Sequence, residues 1–191
     1  VWTFILAVNF WNIFGAGVFG SLITLPIVNY YEHATYMTLN HAHAAMFGVK
    51  GNVALAGMLF CCQHLFQKSA WNEKLVRTAF WSLNIGVALM MFLDMFPVGL
   101  YQIWIVLTEG YWAARTSEVI MGPVFETLTY LRSIGGAVFV FGGLLPLMYF
   151  VLSRGSRMNA ETDTETDEWK AYQAEYGTEF GREWSNEAEP K

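Results

Sequence analysis

Two histidines separated by a single residue stand in the middle of a long apolar run, in the segment TLNHAHAAMFG of residues 38–48. On an α-helix each residue turns through about 100°, so His41 and His43 would point about 200° apart at heights that differ by about 3 Å. One metal ion cannot be held by both, because helical chelation needs the i, i+4 spacing that brings two side chains to one face. The pair therefore predicts either two ligand sites on opposite faces of one helix or two imidazoles that hydrogen-bond neighbouring helices.

The residues around the pair favour a flat ligand. A haem needs one or two axial ligands and a wall of small side chains, and Ala42, Ala44, Ala45 and Gly48 supply such a wall. Polar groups inside membrane spans are often functional and are sometimes structural. Two histidines at opposite-face spacing among alanines indicate two haems, one on each side of the helix.

The composition is that of a membrane protein. The 191 residues are 54% hydrophobic and 14% charged, with 15 Phe, 8 Trp and 9 Tyr, which is far from the average of soluble domains. No segment is basic enough to bind nucleic acid. The two cysteines, Cys61 and Cys62, are adjacent, so they suit neither a disulfide framework nor a zinc site, and we expect buried packing thiols.

Four apolar stretches are long enough to cross a bilayer, for which about 20 residues suffice. We therefore predict an all-α membrane protein with four transmembrane helices. The third is followed by YQIWIVLTEGYWAARTSE, which we interpret as an extension of the span that ends in an aromatic interfacial segment. The predicted spans cover residues 1–31, 34–66, 78–96, with Pro97 at its end, and 123–152.

The basic residues and the tail predict an orientation. The loop after the second span and the segment after the fourth are rich in Lys and Arg, which by the positive-inside rule makes both cytoplasmic. Residues 154–191 carry the whole net charge of −5, and we expect an acidic, largely disordered cytoplasmic tail. Because Val1 begins inside an apolar run, we interpret residues 1–153 as the C-terminal membrane part of a longer polypeptide.

The segment GAGVFG contains the glycines of a dinucleotide fingerprint, Gly15, Gly17 and Gly20. That fingerprint works only after a strand, before a helix, and with an acidic residue about 20 positions later. Here it lies in an uncharged span. We predict instead a glycine-rich helix face that packs closely against another helix or a flat cofactor.

The stretch NYYEHATYMTLNHAHAAMFGVKGNVALAG resembles a core helix of the haem b catalytic subunit of quinol-type nitric oxide reductases, in the haem-copper oxidase superfamily. The resemblance extends over residues 1–152 through NFWNIFGAGVFG, LPIVNYYEH, ALMMFLDMFPVGLYQ and GYWAARTSE. It implies that His41 is the axial ligand of the high-spin haem b3 and that His43 is an axial ligand of the low-spin haem b. It also implies that His33 lies close to haem propionates.

The same resemblance implies an oxidoreductase of denitrification and membrane electron transport. Such an enzyme reduces nitric oxide to nitrous oxide between haem b3 and a non-haem iron, in the inner membrane of a prokaryote. The iron ligands are expected upstream in the same polypeptide, so no catalytic set is complete in this chain. Quinol as the electron donor and a homodimer are left open. The alternatives are an electron-transfer cytochrome b, another terminal oxidase of the superfamily, and a transporter or structural module.

Two positions depart from the family. Gly136 in LRSIGGAVF stands where quinol-type enzymes carry an aspartate that is thought to bind quinol, and glycine has no side chain to do so. This leaves two alternatives. One is a relative, the nitric oxide dismutase, which converts NO to N2 and O2, and the other is a reductase that binds quinol through other residues. Lys50 lies seven residues after His43, on nearly the same helix face. There we expect a proton path, a propionate contact or an ion pair.

Other charged residues have less specific expectations. Asp94 and Glu126 are predicted to lie near span ends, where water hydrates them. Arg115 and Arg132 could pair with haem carboxylates or with carboxylates at helix ends. The sequence does not choose between these partners.

Overall fold

The computed structural model describes residues 1–65 and 71–161, with side-chain surroundings for residues 1–63 and 71–153. Every regular element in this part of the chain is a helix. The α-helices are Trp2–Trp11, Phe19–Thr24, Pro26–Glu32, Tyr36–His43, Asn52–Leu65, Glu73–Met90, Phe96–Glu109, Ser117–Ile120, Pro123–Ala137 and Leu145–Glu161. The π-helical segments are Asn12–Val18, Ala44–Gly51, Met91–Met95 and Val138–Leu144, and Ala113–Arg115 is a 3₁₀ turn.

These segments join into four helices that are long and apolar enough to cross a membrane. They have 23, 28, 37 and 31 residues, and each exceeds the roughly 17 residues of the shortest spans. The all-α membrane fold predicted from the sequence is confirmed. We call them the first to fourth spans: Trp2–Thr24, Tyr36–Gln63, Glu73–Glu109 and Pro123–Ser153.

The first span ends earlier than the sequence suggested. Leu25 leaves the helix with an extended backbone, at φ −75° and ψ 121°, because the ring of the following Pro26 disfavours helical geometry in the residue before it. Pro26 then starts the separate helix Pro26–Glu32. Residues 25–35 and 110–122 connect consecutive spans at one end of the bundle, which we call the Glu32 end.

The third span is longer than predicted because Pro97 does not end it. The helix continues through Pro97 to Glu109, and the π segment Met91–Met95 comes directly before Phe96. Proline removes one backbone donor and crowds the preceding turn, and a π segment rearranges the hydrogen bonds of that turn. The aromatic sequence after Pro97 therefore extends the span, as its composition led us to expect.

The spans approach each other closely where they carry glycine. A Cβ built on Gly15 would lie 2.1 Å from the Ala44 Cβ, and one on Gly48 would lie 2.5 Å from the Trp11 ring. Trp11 and Ala44 belong to a buried cluster with Val87, Met91 and Met95 of the third span. The second span thus packs against both the first and the third.

A network of amides joins three spans. Trp11 Nε1 donates to Asn84 Oδ1 at 2.8 Å, and Asn52 Nδ2 donates to the same oxygen at 3.1 Å. Asn84 Nδ2 donates to Asn52 Oδ1 at 3.3 Å and to the Phe80 carbonyl oxygen at 2.9 Å. Such bonds between helices compensate for polar groups that would otherwise be buried without partners.

The chain separates into two compact units, residues 1–152 and 153–191. Only residues 153–161 of the second unit are described, as the end of the helix Leu145–Glu161. The prediction of a disordered tail over residues 154–191 lies largely outside the described residues.

Candidate functional site

His41 and His43 lie in the last turns of the α-helix Tyr36–His43, immediately before the π segment Ala44–Gly51. The His41 ring contacts the first span at Gly15 and Gly20. The His43 ring lies against Phe47, and the Phe47 ring in turn contacts Phe139 of the fourth span, with ring centroids 5.7 Å apart. The two rings therefore have the opposite orientations that the i, i+2 spacing predicts.

His41 occupies a place that glycine leaves open. Its Nδ1 lies 3.3 Å from the carbonyl oxygen of Gly15, and a Cβ on Gly20 would approach the ring Cε1 to 2.9 Å. Any larger residue at position 20 would have to displace the imidazole. Two glycines of GAGVFG thus serve close packing, whereas a Cβ on Gly17 would meet only the backbone of Asn12 in its own helix.

His43 takes its partner from its own helix. Its Nδ1 lies 3.1 Å from the carbonyl oxygen of Leu39, and its ring centroid is 5.4 Å from that of Phe47. The side chain is half-buried. The orientation of this imidazole is therefore set locally, by one turn of helix and one aromatic neighbour.

Both imidazoles have the arrangement of a metal-ligating histidine. With Nδ1–H donated to a carbonyl oxygen, the lone pair of Nε2 is free, and this hydrogen bond commonly orients histidine ligands. This tautomer is inferred from the carbonyl partners. No other described residue hydrogen-bonds Nε2 of His41 or His43. The donor set fits one haem iron on each side of the helix.

A non-haem iron site is not built by the described residues. In residues 1–63 and 71–153, no three His, Cys, Asp or Glu side chains lie together in a way that could hold a metal ion. The expectation that the iron ligands lie elsewhere in the polypeptide remains a prediction.

His33 lies at the Glu32 end and is exposed. It follows the helix Pro26–Glu32, and its carbonyl oxygen accepts a hydrogen bond from the Arg115 guanidinium. Arg115 also donates to the Tyr111 carbonyl oxygen and lies over the Tyr111 ring. Among the described residues, backbone carbonyls are therefore the partners of Arg115, and the propionate role of His33 stays a prediction.

Glu32 is a buried acid at the same end of the bundle. It is 5% exposed, and its Oε1 accepts no hydrogen bond from the described residues. Burial raises the pKa of the Glu32 carboxyl. Glu32 is not among the residues predicted from the sequence, because nothing in the local pattern shows that this residue of a turn is buried.

Lys50 lies inside the π segment Ala44–Gly51 and is exposed. The prediction that it shares a face with His43 assumed a regular α-helix, but π-type i→i+5 hydrogen bonding turns each residue through a smaller angle. No described carboxylate lies within ion-pair distance of Lys50. Its proton-path and ion-pair roles stay predictions.

Gly136 and its neighbour Gly135 differ in their surroundings. A Cβ on Gly135 would lie 2.6 Å from the backbone nitrogen of Met90, whereas a Cβ on Gly136 would meet nothing within 4 Å. Packing among the described residues therefore requires glycine at position 135 and not at position 136. At position 136, where the family resemblance leads us to expect an aspartate, a Cβ would therefore meet no obstacle among the described residues.

Asp94 and Arg132 form an ion pair that the sequence did not predict. Arg132 Nε lies 3.3 Å from Asp94 Oδ2, and the Asp94 side chain is 0% exposed. The expectation that water hydrates Asp94 at a span end is wrong, because the third span continues past Pro97 to Glu109 and Asp94 is fully buried beside Arg132 of the fourth span. The partners come from different spans, 38 positions apart, and no local motif links them.

Cys62 is buried as predicted, but Cys61 is exposed. Adjacent residues of a helix point about 100° apart, so one of the two thiols faces away from the neighbouring spans. The prediction of two buried thiols is wrong for Cys61.

Comparison with known proteins places the chain in a family. Residues 1–138 match the family described as cytochrome c and quinol oxidase polypeptide I. The chain belongs to this haem-copper oxidase family, whose members are membrane oxidoreductases that bind haem and metal. It is thus a multi-pass membrane protein of this class.

Three relatives show how far the similarity reaches. The chain is 29% identical over 146 residues to a nitric oxide reductase subunit of Stutzerimonas stutzeri, which covers 74% of this chain and 30% of the relative. It is 25% identical over 130 residues to cytochrome c oxidase subunit 1 of Rhodobacter capsulatus, with 66% and 24% covered. It is 28% identical over 141 residues to a bacteroid cytochrome c oxidase subunit 1 homolog of Bradyrhizobium diazoefficiens, with 66% and 23% covered. The chain spans less than a third of the length of each.

Proposed function

We propose that this chain is the haem-binding C-terminal part of a membrane enzyme that acts on nitric oxide. The observation that carries the proposal is the opposite orientation of His41 and His43, each with Nδ1 at a backbone carbonyl oxygen and with Nε2 free. One helix could then hold one haem on each of two opposite faces through its own imidazoles.

In this proposal His41 ligates the high-spin haem b3 and His43 the low-spin haem b, as the family resemblance implies. When bound, the haems supply electron transfer and a metal centre that binds substrate. The residues of this chain orient both imidazoles through carbonyl oxygens. Phe47 and Phe139 place apolar rings beside His43.

Nitric oxide as the substrate is supported by the similarity to the nitric oxide reductase of Stutzerimonas stutzeri and by the motifs around the histidines. In the reductase reaction two NO molecules, two electrons and two protons give one N2O and one H2O. Cytochrome c oxidase relatives match at comparable identity, so a terminal oxidase is the second candidate from the family.

Dismutation of nitric oxide is favoured by one observation, the glycine at position 136. In that reaction two NO molecules give one N2 and one O2, and no external electron donor is needed. The space around Gly136 would admit a side chain, yet the residue that could hydrogen-bond a quinol is absent. Reductase and dismutase therefore both stay within the proposal.

The ligand assignment is tested by spectra of the purified full-length protein. We expect His43→Ala to remove the low-spin haem signal, and His41→Ala to remove the high-spin signal together with NO turnover. Arg77→Gln, at an exposed arginine of the third span, is the control and should keep both signals. If both haem signals survived in His41→Ala and in His43→Ala, the proposed function would lose its central support.

A further inference from the structure

A guanidinium is held inside the bundle beside the proposed low-spin haem ligand. Arg132 of the fourth span lies close enough to His43 of the second span for its charge to act on that imidazole. Its Nε lies 3.3 Å from Asp94 Oδ2 of the third span, where the Asp94 side chain has no exposed surface. An arginine in a membrane span is costly when nothing compensates its charge, so its position calls for a reason.

Asp94 engages only one edge of that guanidinium. An arginine carries five N–H donors, and Arg132 Nη1 and Nη2 hydrogen-bond none of the described residues. The Cζ atom lies 5.9 Å from the centroid of the Tyr36 ring, within cation–π range. The side chain is 34% exposed. The Nη donors therefore have no hydrogen-bond partner among the described residues, and the side chain is partly exposed.

The position of Tyr36 locates the guanidinium along the second span. Tyr36 begins the second span at the Glu32 end, and His43 lies seven residues further along the helix, or about 10 Å. Because the guanidinium lies by the Tyr36 ring, it is displaced from His43 toward the Glu32 end. Arg132 itself is nine residues past Pro123, about 14 Å from the start of its helix, and it lies beside Asp94 and Tyr36 of two other spans.

We propose that Arg132 binds a carboxylate of the haem that His43 ligates, and that Asp94 positions Arg132 for this contact. The inference rests on the proposed function, since it requires haem at His43. A b-type haem carries two carboxylates on one edge, and the forked guanidinium matches a carboxylate with two parallel hydrogen bonds. Asp94 compensates the charge of Arg132 and holds Nε, which leaves the Nη donors free for the haem.

The alternative is an ion pair that serves packing alone. In that case Asp94 and Arg132 would neutralise each other, and the haem carboxylates would be bound by other groups. Loss of stability does not separate the two cases, because Arg132→Gln alone leaves a buried, unpaired carboxylate in either one. The double variant Asp94→Asn/Arg132→Gln removes both charges and keeps both side-chain volumes, so we expect it to fold.

The test is redox-difference infrared spectroscopy of the purified full-length protein loaded with haem that is ¹³C-labelled at its propionate carboxyls. We expect the label-sensitive carboxylate bands of the low-spin haem to shift in the double variant, and to shift partly in Arg132→Lys, which keeps the charge but not the fork. We also expect its midpoint potential to become more dependent on pH, because the freed carboxylate takes up a proton on reduction. Arg77→Gln, at an exposed arginine of the third span, is the control.

Three outcomes are distinguishable. Shifted bands in the double variant and unchanged bands in Arg77→Gln support the proposal. Bands of the double variant that coincide with those of the unmodified protein, with the low-spin haem retained, overturn the proposal and leave the proposed function standing. Absence of a low-spin haem from the unmodified protein overturns both. Because the label is on the haem, a lipid phosphate bound by Arg132 would produce no label-sensitive shift.

Discussion

Each of the two histidines has its Nδ1 at a backbone carbonyl oxygen, but the two carbonyl groups belong to different helices. His41 reaches the Gly15 carbonyl oxygen of the first span, whereas His43 reaches the Leu39 carbonyl oxygen one turn back in its own helix. The orientation of His41 therefore depends on how closely two spans approach, and that of His43 does not. Sequence spacing alone predicts the opposite faces but not this difference, because the partner of His41 lies 26 positions away.

Gly135 and Gly136 allow a test of close packing at single residues. In Gly135→Ala the new Cβ would lie 2.6 Å from Met90 N and 2.8 Å from the Gly86 carbonyl oxygen, and these backbone atoms cannot rotate away. We expect a loss of about 1–3 kcal/mol from overpacking. The measurement is the unfolding free energy of the full-length protein in mixed micelles.

Gly136→Ala is the matched control for that measurement. Its Cβ meets nothing within 4 Å, and alanine is favoured over glycine in a helix by about 1 kcal/mol. We expect unchanged or slightly higher stability. Equal destabilisation by both substitutions would contradict the contacts described between the third and fourth spans.

At the scale of the helix, sequence reasoning succeeded where the helix is regular. His41 and His43 lie within the α-helix Tyr36–His43, so a rotation of about 100° per residue describes them. Lys50 lies beyond the start of a π segment, and Pro97 follows another. The prediction for Lys50 assumed an uninterrupted α-helix, and the prediction for Pro97 assumed that proline ends the helix. The hydrogen-bond shift of a π segment has no simple sequence signature.

The amide network predicts coupling between spans. Asn84→Ala removes the acceptor of Trp11 Nε1 and both bonds with Asn52. Bonds between membrane helices contribute about 0.6 kcal/mol on average, and unpaired buried donors add to the cost. We expect a total loss of about 1–3 kcal/mol, measured as the unfolding free energy in mixed micelles.

A double-mutant cycle checks that this loss arises from the network. Trp11→Phe combined with Asn84→Ala should cost less than the sum of the single changes, because both remove the same bond. Asn9→Ala, at an exposed amide of the first span, should be nearly neutral. Strict additivity of the two changes would argue against the Trp11–Asn84 bond.

At the scale of the whole molecule, the sequence was sufficient to predict a membrane protein with four spans but not to predict the contacts between those spans. The apolar runs and the size of a bilayer determine the number of helices. The pairing of Asp94 with Arg132 depends on how the third and fourth spans lie against each other. From the sequence, Arg115 and Arg132 had no chosen partner, and only the packed structure assigns Asp94 to one of them.

The reaction itself is decided on the complete enzyme with doubly labelled nitric oxide, ¹⁵N¹⁸O. A dismutase should release ¹⁸O2 and ¹⁵N2 without an electron donor, because the oxygen and nitrogen atoms of two substrate molecules are redistributed. A reductase should release labelled N2O only when a donor is supplied. Mass spectrometry of the gas phase measures both, and formation of none of these gases would argue against nitric oxide as the substrate.

The length of the third span has a consequence for the surroundings of the site. Its 37 residues extend about 55 Å as a helix, whereas the hydrocarbon core of a bilayer is about 30 Å thick. Tilt alone seldom absorbs such a mismatch, so part of this helix projects into the headgroup layer or beyond. Gln102 near its Glu32 end accepts from Tyr36 N and donates to the Ala114 carbonyl oxygen. At that end Gln102 therefore joins the start of the histidine helix to the connection between the third and fourth spans.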